Sequence, residues 1–145
     1  MVTNEYAGDI SSAEAWTLLE KDPKAQLVDV RTTAEWTFVG VPDLSALGRD
    51  VHCVEWQSFP EMNVNPDFAA IAADEVRSAG ASEDTPLLFL CRSGARSRAA
   101  AIAMTRAGFR KAYNIAGGFE GDLDETRRRG KRNGWKAGGL PWRQS

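Results

Sequence analysis

The sequence predicts an α/β fold built on an open, mainly parallel five-stranded sheet with helices on both faces. Short apolar runs bounded by polar or turn residues alternate along the chain with segments whose apolar residues recur at helical spacing. Such alternation implies right-handed crossovers between parallel strands. At 145 residues, 43% of them hydrophobic, the chain suits a single domain over residues 1–145 with one buried core.

The first helix and the first strand are the clearest elements of the N-terminal part. Ser11 is followed three residues later by Glu14, the spacing of a capping box, and the apolar residues after it predict a helix over residues 12–20. The run at residues 26–30 is apolar and bounded by polar residues, as expected of a buried parallel strand.

The next part of the chain alternates between short elements and loops. Residues 34–38 are expected to form a brief helical turn, and residues 40–43 a loop. Weak alternation predicts another strand over residues 51–56, and residues 58–65, which include a proline, are predicted to be loop.

The middle of the chain carries the strongest strand signal. A helix is expected to begin near Pro66, in its first turn, and to end at Gly80. The apolar run at residues 86–91 predicts a strand that leads through a tight loop into a helix over residues 97–107.

The elements predicted in the C-terminal part are short. Residues 112–115 form a last strand, Gly117-Gly118 a turn and residues 123–129 a helix. Residues 131–145 are expected to be a loop-like tail packed on the domain through its tryptophans.

Composition excludes several classes of function. Eighteen Lys and Arg against 20 Asp and Glu give a net charge of −2, so nucleic acid is not an expected partner. The apolar stretches are far below membrane-spanning length, so no membrane is expected as a partner either. Only Cys53 and Cys91 are present, which fits a reducing cytoplasm and leaves thiols available for chemistry. No cluster of Cys and His has ligand spacing, so we expect no metal and no other cofactor.

Cys91 is the candidate nucleophile because it ends a strand just before a loop and a helix. A helix N-terminus and backbone N–H groups favour a thiolate there. Gly94 gives the loop the freedom to form an anion nest. Serine hydroxyls and arginine side chains would bind an anionic substrate. The predicted substrate-binding residues are Arg92, Ser93, Gly94, Ala95, Arg96 and Ser97.

The segment 91–97 resembles the active-site loop of the rhodanese family. Asp29-Val30-Arg31 with Glu35 is similar to the first Asp-x-Arg strand end of these domains, and residues 114–119 to their final strand and double-glycine turn. The ending from Trp135 to Pro141 is also similar. Residues 39–43 depart from it, since they lack the histidine that many members have there.

The resemblance implies a sulfurtransferase. Cys91 would take a sulfane sulfur from a small anionic donor such as thiosulfate and pass it, as a persulfide, to a thiol, cyanide or protein acceptor. A non-catalytic sulfur carrier or interaction module, fed by a partner protein, is the alternative. Phosphatase or arsenate reductase chemistry is disfavoured, because the related phosphatase loop is Cys-x5-Arg, whereas Arg96 makes this one Cys-x4-Arg.

Other polar residues have simpler interpretations. Cys53 is expected to be structural rather than a resolving thiol, and His52 to be a half-exposed polar residue rather than a catalytic partner. Asp29, Arg31 and Glu35 are expected to form a strand-end scaffold of ion pairs. The basic run at residues 127–132 is expected to be a solvated helix face.

Overall fold

The computed structural model of this protein describes residues 5–58 and 61–144. Its helices are α1 (Ser12–Lys21), α2 (Thr33–Phe38), α3 (Phe68–Ser78), α4 (Ala95–Arg106) and α5 (Gly134–Ala137). Its strands are β1 (Gly8–Ile10), β2 (Gln26–Asp29), β3 (Val41–Pro42), β4 (His52–Cys53), β5 (Gln57–Ser58), β6 (Asn63–Val64), β7 (Leu87–Leu90), β8 (Ala112–Ile115) and β9 (Trp142–Arg143). No helix in the described part of the chain is both long and apolar enough to cross a membrane.

Within these residues, five strands form one parallel sheet in the order β1-β8-β7-β2-β4. The predicted α/β class and five-stranded sheet are therefore confirmed. The central strand β7 pairs with β2 on one side and β8 on the other, and its residues are buried on both faces. A strand buried on both faces needs an unbroken apolar sequence, which explains the strength of its signal.

The sheet separates two apolar clusters. One contains Phe89 and Cys91 and packs against α3 and α4, while the other contains Leu88 and Leu90 and packs against α1 and Trp135. Successive side chains of a strand point to opposite faces, so β7 directs Cys91 towards the α3 and α4 side. This alternation places the candidate nucleophile beneath the N-terminus of α4.

Several helix predictions agree with the structure. Helix α1 begins at Ser12 and both hydrogen bonds of the Ser11 and Glu14 capping box are present. Helix α2 covers the predicted helical turn and has a second capping box, from Thr32 to Glu35. Helix α4 begins at Ala95, two residues earlier than predicted, because Gly94 takes the N-cap position with a φ of +120°.

Helix α3 begins later than predicted. Pro66 is expected in its first turn, but Asp67 is the N-cap and Phe68 the first helical residue. The Asn65 side chain accepts a hydrogen bond from the Asp67 N–H, so a side-chain turn occupies the position before the helix.

Three loop or strand predictions are wrong or too long. Residues 40–43 contain strand β3, which pairs with β9 of the C-terminal tail. The strand predicted over residues 51–56 is limited to β4 (His52–Cys53) at the sheet edge. The loop predicted over residues 58–65 includes a β5–β6 hairpin, and residues 59 and 60, with the proline, lie outside the described residues.

The helix predicted over residues 123–129 is not formed. The Asp124 carboxylate accepts hydrogen bonds from the backbone N–H groups of Thr126 and Arg128, at 2.8 and 2.9 Å, and Arg127 has a φ of +63°. A side chain that binds nearby backbone donors competes with helical hydrogen bonds. The basic run is therefore mainly exposed turn, not a helix face.

The tail contains two short elements, α5 and β9, where only loop is expected from the sequence. Trp135 is fully buried, its ring lies 5.9 Å from that of Trp16, and its Nε1 donates to Pro141 O at 2.6 Å. Strand β1 is absent from the predicted elements, because its three residues carry too little pattern to distinguish them from loop.

Candidate active site

Cys91 lies at the carboxyl end of β7 with only 1% of its surface exposed. Its Sγ accepts hydrogen bonds from the Gly94 backbone N–H at 3.1 Å and from the Ser97 hydroxyl at 3.2 Å. Both donors belong to the loop and first turn of α4, so the strand, loop and helix together surround the sulfur. This arrangement stabilises negative charge on Sγ.

The loop is supported from below by the double-glycine turn. The Phe119 N–H donates to Cys91 O at 2.8 Å, and the Glu120 N–H donates to Arg92 O at 3.0 Å. A Cβ at Gly118 would lie 2.4 Å from Cys91 O, so only glycine permits this close approach. The turn thus positions the backbone of the nucleophile.

Ser97 connects the sulfur to a chain of polar groups. Its hydroxyl lies 2.6 Å from Asn114 Oδ1, and the Asn114 side-chain amide donates to Asp9 Oδ1 at 2.9 Å. These residues come from α4, β8 and β1. The sequence places Ser97 near Cys91 but does not indicate Asn114 or Asp9 as its neighbours, since the pattern of β1 is too short to predict a strand.

A cavity of about 360 Å³ opens beside Cys91. Five of the seven predicted site residues line it, namely Cys91, Arg92, Ser93, Ala95 and Arg96. The other two, Gly94 and Ser97, contact the sulfur through the hydrogen bonds described above. The structure therefore brings the predicted residues together, while their roles in substrate binding stay predictions.

Among the described residues, three from outside the loop also line this cavity, and none of them is predicted there from the sequence: Glu35, Gln57 and Met62. Gln57 lies in β5, and Met62, with a φ of +57°, lies between β5 and β6. No tail residue up to position 144 is among the lining residues. The hairpin is predicted as loop, and no local pattern indicates which loop reaches the cavity.

Arg96 is held by Glu35. Its Nη1 and Nη2 donate to the two carboxylate oxygens at 2.6 and 3.0 Å. Burial raises the pKa of Glu35, but the hydrogen bonds and charge of Arg96 outweigh it, so that pKa is lower than usual. The sequence predicts Glu35 only as part of a scaffold with Asp29 and Arg31, and this pair places it in the site.

The remaining candidates lie elsewhere. Asp29 and Arg31 form a fully buried ion pair at 2.7 Å, as expected of scaffold. His52 Nε2 lies 2.6 Å from Gln26 Oε1, and His52 is absent from the described lining of the Cys91 cavity. Cys53 is exposed, in β4, and loss of hydration, followed by the charge of Asp29, raises the pKa of its thiol to about 12, which disfavours a thiolate at neutral pH.

Comparisons with known proteins identify the family. The family described as STR4 middle domain matches residues 7–145. The uncharacterized protein RC0915 of Rickettsia conorii is 36% identical over 134 residues, covering 92% of this chain and 95% of its own. The crystal structure of Rv0390 from M. tuberculosis has a TM-score of 0.86 at 51% identity, covering 97% of this chain and 99% of that one.

A longer plant protein contains a similar region. The chloroplastic rhodanese-like domain-containing protein 4 of Arabidopsis thaliana is 29% identical over 132 residues, which are 91% of this chain and 25% of the plant protein. The family match over residues 7–145 includes the described strands, the Cys91 loop and the tail. This chain therefore belongs to the STR4 middle domain family of rhodanese-like proteins.

Proposed function

We propose that this protein is a sulfurtransferase that carries a sulfane sulfur as a persulfide on Cys91. The observation that carries this proposal is the setting of the sulfur, which is buried, faces a small cavity and accepts hydrogen bonds from Gly94 and Ser97. Such a setting suits an anionic sulfur that alternates between thiolate and persulfide. Family membership supports the same chemistry.

The proposed reaction has two steps. The Cys91 thiolate attacks the outer sulfur of a donor such as thiosulfate, the Cys91–sulfur bond forms, and sulfite leaves with the electron pair of the broken S–S bond. A thiol, cyanide or protein acceptor then attacks the terminal sulfur, and Cys91 departs as thiolate. Gly94 and Ser97 stabilise the charge on Sγ throughout.

A non-catalytic carrier fed by a partner protein is the second candidate. It is favoured by the Arg96–Glu35 pair, since the guanidinium expected to bind an anionic donor already binds a carboxylate. In that case Cys91 would accept sulfur from a protein and turn over small donors slowly. The acceptor and the cytoplasmic location expected from the cysteine content stay predictions.

Intact mass spectrometry tests the proposal. The purified protein is incubated with excess thiosulfate or with glutathione persulfide and desalted, and its intact mass is measured. We expect a mass gain of one sulfur atom in the unmodified protein and in Cys53→Ser, and none in Cys91→Ser. Failure of both donors to add sulfur to Cys91 would exclude a sulfurtransferase that uses small donors and would leave the protein-fed carrier.

A further inference from the structure

The charges around the Cys91 cavity do not form a simple anion site. Arg92 and Arg96 line it, but so does Glu35, whose carboxylate takes up both outer nitrogens of Arg96. The Arg96 and Glu35 side chains are only 17% and 20% exposed, so water screens their charges incompletely. The planar fork that suits a sulfonate is occupied by a group of the protein itself.

Glu35 is fixed in this position by its own helix. It is the N3 residue of α2, and its Oε1 accepts hydrogen bonds from the Thr32 backbone N–H and hydroxyl, both at 3.2 Å. Arg96 therefore binds a carboxylate that is held independently. An incoming anion would have to displace a positioned partner, not a free side chain.

The formal charges decide which donors suit this cavity. When Cys91 is a thiolate, it and Glu35 balance Arg92 and Arg96, so the described lining residues carry no net positive formal charge that would attract a dianion. Thiosulfate brings two negative charges close to the Glu35 carboxylate. A persulfide, R–S–SH, brings at most one negative charge on the sulfur to be transferred, and none when it is protonated.

We propose that Glu35 determines donor choice, favouring small thiol persulfides over thiosulfate by occupying Arg96 and keeping a carboxylate at the cavity. The inference rests on the proposed function and names its donor class. A small persulfide is favoured because Cys91 is nearly buried and is reached through a cavity of about 360 Å³, a size that admits small ligands.

Sulfur transfer from a persulfide to Cys91 needs no oxidant, reductant or other reactant. The Cys91 thiolate attacks the terminal sulfur of R–S–SH, the new S–S bond forms, and R–S⁻ leaves with the electron pair of the old one. The transferred sulfur retains its proton. The negative charge thus moves from Cys91 to the sulfur of the departing thiolate.

The Glu35→Gln variant tests this proposal. Glutamine can still serve in a capping box and still accepts a hydrogen bond from Arg96, but it removes the negative charge. Rates of sulfur loading on Cys91 are measured by intact mass with thiosulfate and with glutathione persulfide. We expect thiosulfate loading to become about tenfold faster, and persulfide loading to change by less than about twofold.

Glu14→Gln is the matched control. Glu14 occupies the same position in the α1 capping box, where it accepts from the Ser11 N–H at 3.0 Å, but it is exposed and lies outside the cavity lining. Both loading rates should be unchanged in that variant. An unchanged ratio of the two rates in Glu35→Gln, with Cys91 still loaded, would overturn the role of Glu35 alone, whereas loading by neither donor in any variant would overturn the proposed function.

Discussion

At the scale of single residues, Ser97 and Glu35 define the surroundings of Cys91. Ser97 has one hydroxyl proton and two acceptors in reach, Cys91 Sγ at 3.2 Å and Asn114 Oδ1 at 2.6 Å. A negatively charged sulfur attracts that proton more strongly than a thiol does. Ser97 can therefore supply its hydrogen bond when charge resides on the sulfur.

Removing the Ser97 hydroxyl should slow the loading of sulfur onto Cys91. A hydrogen bond to a charged group contributes roughly 1.5–3 kcal/mol, so Ser97→Ala should load about tenfold more slowly, or slower still. Intact mass spectrometry of samples quenched at successive times measures this rate. Thr105→Val is the control, because its hydroxyl lies on the same helix but donates to Ala101 O. Equal slowing in both variants would contradict a specific role for Ser97.

The Glu35–Arg96 pair should make stability depend on pH. Because the pKa of Glu35 is lower in the folded protein than its ordinary value of about 4.3, its charge stabilises the fold above that value. The contribution is lost as pH falls through the lower folded pKa. We expect Glu35→Gln to be less stable at pH 7 by about 1 kcal/mol and the difference to shrink below about pH 4.

Urea unfolding of both proteins at several pH values measures this difference. The midpoint of the unmodified protein should approach that of Glu35→Gln as the solution becomes more acidic. A gap of constant size from neutral to acidic pH would show that the carboxylate charge is not what stabilises this corner of the protein.

At the scale of elements, the site depends on one strand, one loop and one helix resting on a turn. Strand β7 delivers Cys91, and the Gly94 N–H at the start of α4 donates to its sulfur. The double-glycine turn after β8 holds the loop carbonyls through the N–H groups of Phe119 and Glu120. Carbonyls that are bound beneath the loop leave a donor-rich surface at the sulfur.

Adding a side chain to the double-glycine turn should disturb the Cys91 loop that rests on it. In Gly118→Ala the new Cβ would lie 2.4 Å from Cys91 O at a φ of +59°, so we expect a loss of about 2–4 kcal/mol in the free energy of unfolding. Gly48→Ala is the matched control, since Gly48 has a φ of +69° and a Cβ there would meet no atom within 4 Å, so it should lose about 1 kcal/mol. Chemical denaturation compares them, and equal losses would contradict the steric argument.

At the scale of the whole molecule, one face of the sheet contains the candidate nucleophile and the other is covered by structural packing. The α3 and α4 face contains Cys91, whereas the opposite face is completed by α1 and the C-terminal tail. Strand β9 pairs with β3, and the Lys136 ammonium lies 4.0 Å from the ring centre of Trp142. The tail therefore belongs to the packing of the second face.

Truncating Trp135 should show how much the tail contributes. Replacing this fully buried ring removes its contacts with Trp16 and the hydrogen bond to Pro141 O. We therefore expect Trp135→Ala to lower the free energy of unfolding by about 3–5 kcal/mol. Trp142→Ala, at a ring that is 40% exposed, should lose less than half as much. Thermal unfolding measures both, and a small loss at Trp135 would mean that the tail is an accessory segment.

The sequence by itself determined the features that are encoded by neighbouring residues. The apolar run of β7, the glycine in the following loop and the helical spacing of α4 are contiguous, so they predict the strand, the loop and Cys91 at its end. The capping boxes of α1 and α2 are equally local. Local hydrogen bonds and side-chain periodicity are sufficient to specify these elements.

Only the tertiary structure decided which distant residues meet. Glu35 reaches Arg96 across 61 positions, and Met62 joins the cavity from a hairpin that carries no periodic pattern. The helix expected at residues 123–129 was lost to the side chain of Asp124. The charge balance beside Cys91 follows from how the elements pack, because contacts between residues remote in sequence depend on the three-dimensional arrangement of strands and helices rather than on any local pattern.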